Sequence, residues 1–500
     1  MESATLTRPR PVAAPTSSAR EEGRANRWAW IAFALLCAGA IWGFFAFPTY
    51  PNYDSYYSLL WGREILDGAL PSYDAYRAPT PHPLAIGVGA LLSLLGHGGE
   101  RIWILLCVGS FVALVAGVYR LGRDAFTPLV GLAAAVLVCS RLDFPFYAAR
   151  GYIDIAYMAL VVWAAAFEAR SPRRGVPVLL MLAVAGMLRP EAWLISGLYF
   201  LWIAWRAGWA ERAKFAALAA LGPLVWAGSD LIVTGDPMWS LTYTSSFAEE
   251  LGRNKSASGL VPSIWEFLVK LDKLQVLVGG IVGLCLAVTL VPRRSAVPGA
   301  LLSVGIGTFV LVGLGGFSVI DRYLLVASMV VIVFCGVAVA GWTMLREGSR
   351  ERRVWAGAAA LVVAAGATIT AIALDPGRLR RELEFRADAH PALHDVLDAP
   401  AVRAAMRCGP ISVPNHKLIP DVRWILDLPD GAVVARSQAL RTPRLQRRIA
   451  RGGVAIYPNQ RSAVLRQALV EDSDDPFTQI PLAGYRRAAV SGYYSAYVRC

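Results

Sequence analysis

Residues 28–83 read WAWIAFALLCAGAIWGFFAF followed by PTYPNYDSYYSLLWGREILDGALPSYDAYRAPTPHP, and the join between Phe47 and Pro48 decides the fold. The first segment has no charged residue and the length, about 20 residues, that a helix needs to cross a bilayer. The second changes character at once. It holds Asp54, six tyrosines and Trp61, and ends in the Pro-rich turn Pro81-His82-Pro83. A plain connection between two helices has no use for so much aromatic and polar chemistry at a membrane surface. We read residues 48–100 as a first outer loop that carries a catalytic site.

The rest of the chain agrees with a membrane setting. Hydrophobic residues make up 56% and charged residues 17% of 500, against roughly 25% charged in soluble domains. The net charge of +13 comes from arginines that recur between apolar runs rather than in one patch. That pattern sets orientation in a bilayer and gives no reason to expect nucleic acid as a partner.

Eleven spans are expected: Trp28–Phe47, Ile102–Tyr119, Pro128–Ser140, Ile153–Phe167, Val176–Leu188, Trp193–Trp205, Phe215–Val233, Leu274–Val291, Val297–Gly315, Tyr323–Met344 and Val354–Leu374. Leu84–Leu95 is too short and Gly-rich, and reads as an interfacial or re-entrant helix on the side of the loop. With this count every arginine cluster, from Arg120/Arg123 to Arg346/Arg350/Arg352/Arg353, falls on the face of the N-terminus. The positive-inside rule makes that face cytoplasmic. The expected organisation is a disordered cytoplasmic tail (1–27), a multi-pass domain in the cell (plasma) membrane (28–375) and a small extracytoplasmic α/β domain (376–500). In the last, Arg378–Met406 is helical in tendency but interrupted at His390-Pro391. Residues 410–414, 432–436 and 454–457 read as strands, and Tyr485–Val498 as a hairpin. Five cysteines sit in apolar spans. Cys408 and Cys500 do not, and an oxidising compartment favours a disulfide between them.

Several residues could carry chemistry. Asp54 could serve as a general base or hold a divalent cation, Mg or Mn; the alternative is a solvated acid that starts a helix over Ser55–Leu66. His82, held between prolines, could bond an acceptor or a phosphate, or be an ordinary loop histidine. Arg150 and Asp154, four apart, should share one helix face, either as a simple ion pair or as a phosphate-binding arginine steadied by its aspartate. Arg189 and Glu191 flank Pro190 and, two apart, should serve different partners. Asp321, Arg322 and Tyr323 open a span, where an arginine is costly unless it is used. Arg322 is the best candidate for a lipid phosphate. Tyr53, Tyr56 and Trp61 are candidate sugar platforms. The loop 235–273, with Asp236, Glu249, Glu250, Arg253 and Lys255, could cover an acceptor. All these groups fall on the outer face, whereas span centres are nearly free of charge.

Four features then resemble a known family: the acid after the first span (Asp54 in NYDSYY), the stretch Asp67-Gly-Ala-Leu-Pro71 leading to Pro81-His82-Pro83, the YAAR…D segment (Arg150, Asp154) and the late RYLL span start (Arg322, Tyr323). Together they resemble the polytopic GT-C glycosyltransferases, nearest the branch of protein mannosyltransferases and lipid A aminoarabinose transferase. The resemblance covers roughly residues 28–345. It implies an inverting transfer of a sugar from a polyprenyl-phosphate donor to a glycan, lipid or protein acceptor outside the cytoplasm. Asp54 would be the base, and Arg322, Arg150 and Tyr323 would hold the donor phosphate. Such enzymes often pair two acids in the first loop. Ser55 follows Asp54 here, so a second acid would come from Asp74 or Asp154, and the metal is open. Two rival readings are a transporter or flippase of an anionic or glycan-linked lipid, and an assembly scaffold.

Overall fold

The computed structural model describes residues 17–250, 257–373, 376–467 and 482–500. The part up to Ala373 is a helical membrane body. Helix α1 (Ser17–Ala46) takes in Ser17–Arg27, expected in the tail, and leads into α2 (Tyr53–Leu66). Then follow α3 (Pro83–Ser93), α4 (Gly98–Ala125), α5 (Pro128–Ser140), α6 (Asp143–Ala149), α7 (Asp154–Arg170), α8 (Val176–Leu188) and α9 (Glu191–Ala204). The body continues with α10 (Trp209–Thr234), α11 (Trp239–Glu250), α12 (Ala257–Leu290), α13 (Pro292–Leu314), α14 (Leu325–Ala340) and α15 (Arg350–Ala373). Among the described residues, seven helices are long and apolar enough to cross a membrane; α5 and α6, bent by 63°, make an eighth if they are one span. The remaining expected spans, α7, α8 and α9, are helices of 17, 13 and 14 residues. At 1.5 Å per residue they fall short of a ~30 Å hydrocarbon core. The count of eleven is therefore a count of apolar helices, not of full-length crossings.

Burial orders this bundle. The segment Asp321–Met344, which contains α14, is 89% buried and forms its centre, whereas the Arg27–Ala46 stretch of α1 has no buried residue. Trp28, Trp30, Leu35, Trp42 and Phe45 of α1 are exposed, an apolar surface that suits lipid and not water. Helices α2 and α3 lie against each other through glycine. A Cβ on Gly62 would come within 2.2 Å of the Ala90 nitrogen, and one on Gly89 within 2.2 Å of the Ser58 carbonyl oxygen. Asn52 caps α2, its side chain accepting from the Asp54 and Ser55 amides at 2.8 and 3.2 Å; such caps contribute about 1 kcal/mol.

The C-terminal part opens with α16 (Pro376–Asp398), which runs unbroken through His390-Pro391, contrary to expectation. After α17 (Pro400–Ala405) comes a five-stranded sheet in the order β2-β1-β3-β5-β4. Strands β1 (Ile411–Val413), β2 (Val433–Ala435) and β3 (Gly453–Pro458) are parallel. Strands β4 (Arg486–Ser491) and β5 (Tyr494–Arg499) form an antiparallel hairpin beside β3. Helix α18 (Ile419–Ile425) follows β1. Cys408 and Cys500 form a disulfide.

The two parts are joined by buried charge. Arg423 of α18 is fully buried and donates to Glu64 of α2 at 2.6 Å and to Asp430 at 3.0 Å. His390 meets Glu100 at 2.9 Å, and Tyr56 donates to the other oxygen of that carboxylate at 2.8 Å. Removing one partner of a buried pair costs about 3–5 kcal/mol. Because Asp430 remains beside Arg423, Glu64→Ala should fall near the lower end of that range. It should speed proteolytic release of the C-terminal part while leaving the helical content intact. Unchanged cleavage would show that this ion pair does not hold the junction.

Candidate active site

A cavity of about 860 Å³ opens between the helical body and the C-terminal part. Its lining divides into three zones. Trp193, Leu194, Leu311, Val312 and Phe317 make an apolar wall. Asp54, His82, Arg189, Glu191, Arg322 and Tyr323 make a polar centre. Tyr50, Arg150, Arg386, Lys417, Asp421 and Arg466 make the end under the sheet.

The centre is a linked set of charges. Arg322 sits in a short 3-10 turn before α14, and donates to Asp54 at 3.2 Å. The same nitrogen lies 3.8 Å from Asp154. Asp154, at the start of α7 and 1% exposed, takes its main bond from Arg189 at 2.5 Å. Arg189 also donates to one Glu191 oxygen at 3.0 and 2.7 Å. Its guanidinium lies 5.5 Å from the centre of the Tyr323 ring. A planar guanidinium bonding two carboxylates from different helices fixes geometry as well as charge. The acid that lines the cavity, Asp54, is thereby held by a chain that runs through three helices.

Two expectations are corrected here. Arg150 and Asp154 do not share a helix face. Arg150 ends α6, Gly151 turns with φ +74°, and Asp154 starts α7. The spacing of four counts only inside one continuous helix. Arg189 and Glu191 do share a partner, namely each other. Arg189 is extended (φ −148°, ψ 131°) and Glu191 begins α9, so the helical rule for residues two apart does not apply.

The aromatic residues divide. Tyr53 lines the cavity and donates to the Arg77 carbonyl. Tyr56 and Trp61 do not line it, and are not sugar platforms in this geometry. Tyr56, two residues past Asp54, is turned about 200° around α2 and is buried on Glu100. Trp61 returns to the Asp54 side about 10 Å along, where it packs on Tyr73 at 5.0 Å and donates to the Ser72 carbonyl. His82 faces the cavity, edge-on to Trp226 at 5.5 Å. Burial, and then the Arg189 charge, push its pKa down to about 4, so it is neutral at pH 7. Asp74 is exposed and away from the lining. Of the loop 235–273, Leu241 and Thr244 reach the cavity. Arg253 and Lys255 lie outside the described residues. No group of three or more His, Cys, Asp or Glu among the described residues could hold a metal ion.

Sequence reading missed Arg386, His416, Lys417, Asp421 and Arg466, all of them in the lining. A signal existed for three of them. His416 and Lys417 directly follow β1, and Asp421 lies in α18, beyond the carboxyl end of parallel strands where α/β sheets bind ligands.

No family model matches the chain, and no curated protein matches it by sequence. Its fold does match solved structures. The crystal structure of ArnT from Cupriavidus metallidurans bound to undecaprenyl phosphate superposes with a TM-score of 0.55 at 12% identity, covering 94% of this chain and 98% of that one. The same protein in the apo state gives 0.56 at 13% identity, covering 95% and 98%. The chain thus shares the fold of ArnT, a body of apolar helices with a small sheet at its C-terminal end.

Proposed function

We propose that this protein is an inverting membrane glycosyltransferase that uses a polyprenyl-phosphate-linked sugar and an acceptor outside the cytoplasm. The observation that carries the reading is one cavity, in a GT-C-type fold, with an apolar wall, a carboxylate (Asp54) and an arginine (Arg322) bonded to it at 3.2 Å. The wall of α9 and α13 suits a prenyl chain. Asp54 takes the proton of the acceptor hydroxyl as its oxygen attacks the anomeric carbon. The bond from that carbon to the phosphate oxygen breaks, and polyprenyl phosphate leaves with the electron pair. Arg322, 5.7 Å from the centre of the Tyr152 ring, stabilises the charge that grows on the leaving phosphate. The N-terminus is then cytoplasmic and the sheet extracytoplasmic.

The test is lipid binding and turnover by the full-length protein in nanodiscs. Undecaprenyl phosphate, which ArnT binds in its crystal structure, is the probe. Wild type should bind it, and Arg322→Ala should weaken binding about 10–100-fold, the loss of charge-assisted bonds to phosphate. Equal affinity in both would remove Arg322 from the donor site. Transport of a lipid-linked glycan across vesicles with its phosphate–sugar bond uncut would make the protein a flippase instead.

A further inference from the structure

The end of the cavity under the sheet has a charge balance unlike its centre. There every arginine has a carboxylate. Here Arg150 and Arg386 have none in ion-pair contact among the described residues. Arg386 is 7% exposed, has its guanidinium carbon 3.8 Å from the centre of the Tyr50 ring and donates to the Tyr50 carbonyl. Its Nε has no partner. Arg150 rests on Phe146 and Tyr152 at 5.4 and 5.2 Å, and its Nε also has no partner. Both positive charges act on the Tyr50 phenol. Tyr152 thus neighbours both Arg322 and Arg150, and Tyr50 lies against Arg386 of α16, with the Arg150 charge acting on it through space.

A buried guanidinium (Arg386) and a half-buried one (Arg150) without a counter-ion are costly, and the cost falls when an anion arrives. The one carboxylate facing them, Asp421, is buried and its pKa is pushed up to about 7, so at neutral pH it supplies only part of a charge. Arg466 lines the same end but is engaged with Glu382. The backbone places a ligand here too. The parallel strands run in the order β2-β1-β3, so the chain leaves β1 to one side and later returns to the other. The crevice at the carboxyl end of such a switch point is where open α/β sheets bind ligands. His416, Lys417 and Asp421 bring that crevice to the cavity.

We propose that Arg150 and Arg386 form a second anion subsite, one guanidinium from each part of the chain, that binds a phosphate or carboxylate carried on the sugar acceptor. The assignment to the acceptor rests on the glycosyltransferase reading above; the anion site itself does not. A guanidinium fork fits either group bidentately.

The experiment measures binding of three soluble probes to the full-length protein in nanodiscs: glucose 6-phosphate, glucuronate and glucose. At least one anionic sugar should bind about 10-fold tighter than glucose, as a bidentate charged contact requires; whichever does so names the group. Arg386→Gln should lose roughly that factor, with undecaprenyl phosphate affinity within about two-fold of wild type. Arg386→Lys keeps the charge and the stem packing, and should keep a preference for the anion even if Arg386→Gln fails to fold. Equal binding of all three sugars by wild type, or an unchanged preference in Arg386→Gln, would overturn the subsite. Wild type that prefers anionic sugars yet ignores undecaprenyl phosphate would sink the donor reading and leave the subsite standing.

Discussion

Asp54→Asn is expected to lower sugar transfer by about 10²–10⁴-fold, the usual worth of a general base, with a melting temperature close to wild type. The amide has the shape of the carboxylate and keeps an oxygen for the Arg322 bond, now 3.2 Å long. The Asn52 cap bonds only the backbone amide of residue 54, so the start of α2 is untouched. What the variant loses is the ability to take a proton. Release of polyprenyl phosphate from a polyprenyl-phosphate sugar, followed in nanodiscs, reads the effect. Turnover within a few-fold of wild type would remove Asp54 from the chemistry and leave it a structural partner of Arg322.

Arg189→Met should have the largest effect on stability. Arg189 is 6% exposed and is the main counter-ion of two carboxylates that are themselves nearly buried, Asp154 at 1% and Glu191 at 6%. Methionine fills part of the volume but leaves both acids without it. Breaking a buried pair costs about 3–5 kcal/mol, and here two are broken at once. Thermal unfolding and folded yield should both drop. Adding Asp154→Asn should restore part of the loss, because a neutral amide is easier to bury than an unpaired carboxylate. A single variant as stable as wild type would mean that Arg322, 3.8 Å from Asp154, or water already satisfies these acids.

Much of this architecture was legible in the chain. Apolar runs mark the eleven expected helices, seven of them long enough to cross a membrane, and short apolar runs mark the strands β1 to β3, whose residues are buried in succession. Asp54, His82, Arg189, Glu191, Arg322 and Tyr323 could be picked out because charge or aromatic chemistry next to an apolar run has few bland explanations. The pairings could not. Asp54 meets Arg322 across 268 positions, and nothing local encodes that. Local rules failed where the backbone left the helix without a strong signal: the left-handed turn at Gly151 separates Arg150 from Asp154, and the extended Arg189 turns a spacing of two into a contact. At His390-Pro391 the reverse happened, and the proline was absorbed in a continuous α16. The ring of groups that the sheet adds to the cavity was missed because Arg386, Asp421 and Arg466 look like ordinary surface charges until the two parts are docked.

That docking has a thermodynamic consequence. One side of the cavity belongs to the helical body and the other to α16 and α18, so a ligand that touches both sides binds the closed arrangement and not the parted one. Its affinity must then appear as cohesion between the two parts. By mass action a ligand at 100 times its dissociation constant adds about 2.7 kcal/mol to the arrangement it binds. A bridging substrate would therefore act as a reversible clasp, and protection of the junction from protease could report occupancy before any chemistry is assayed.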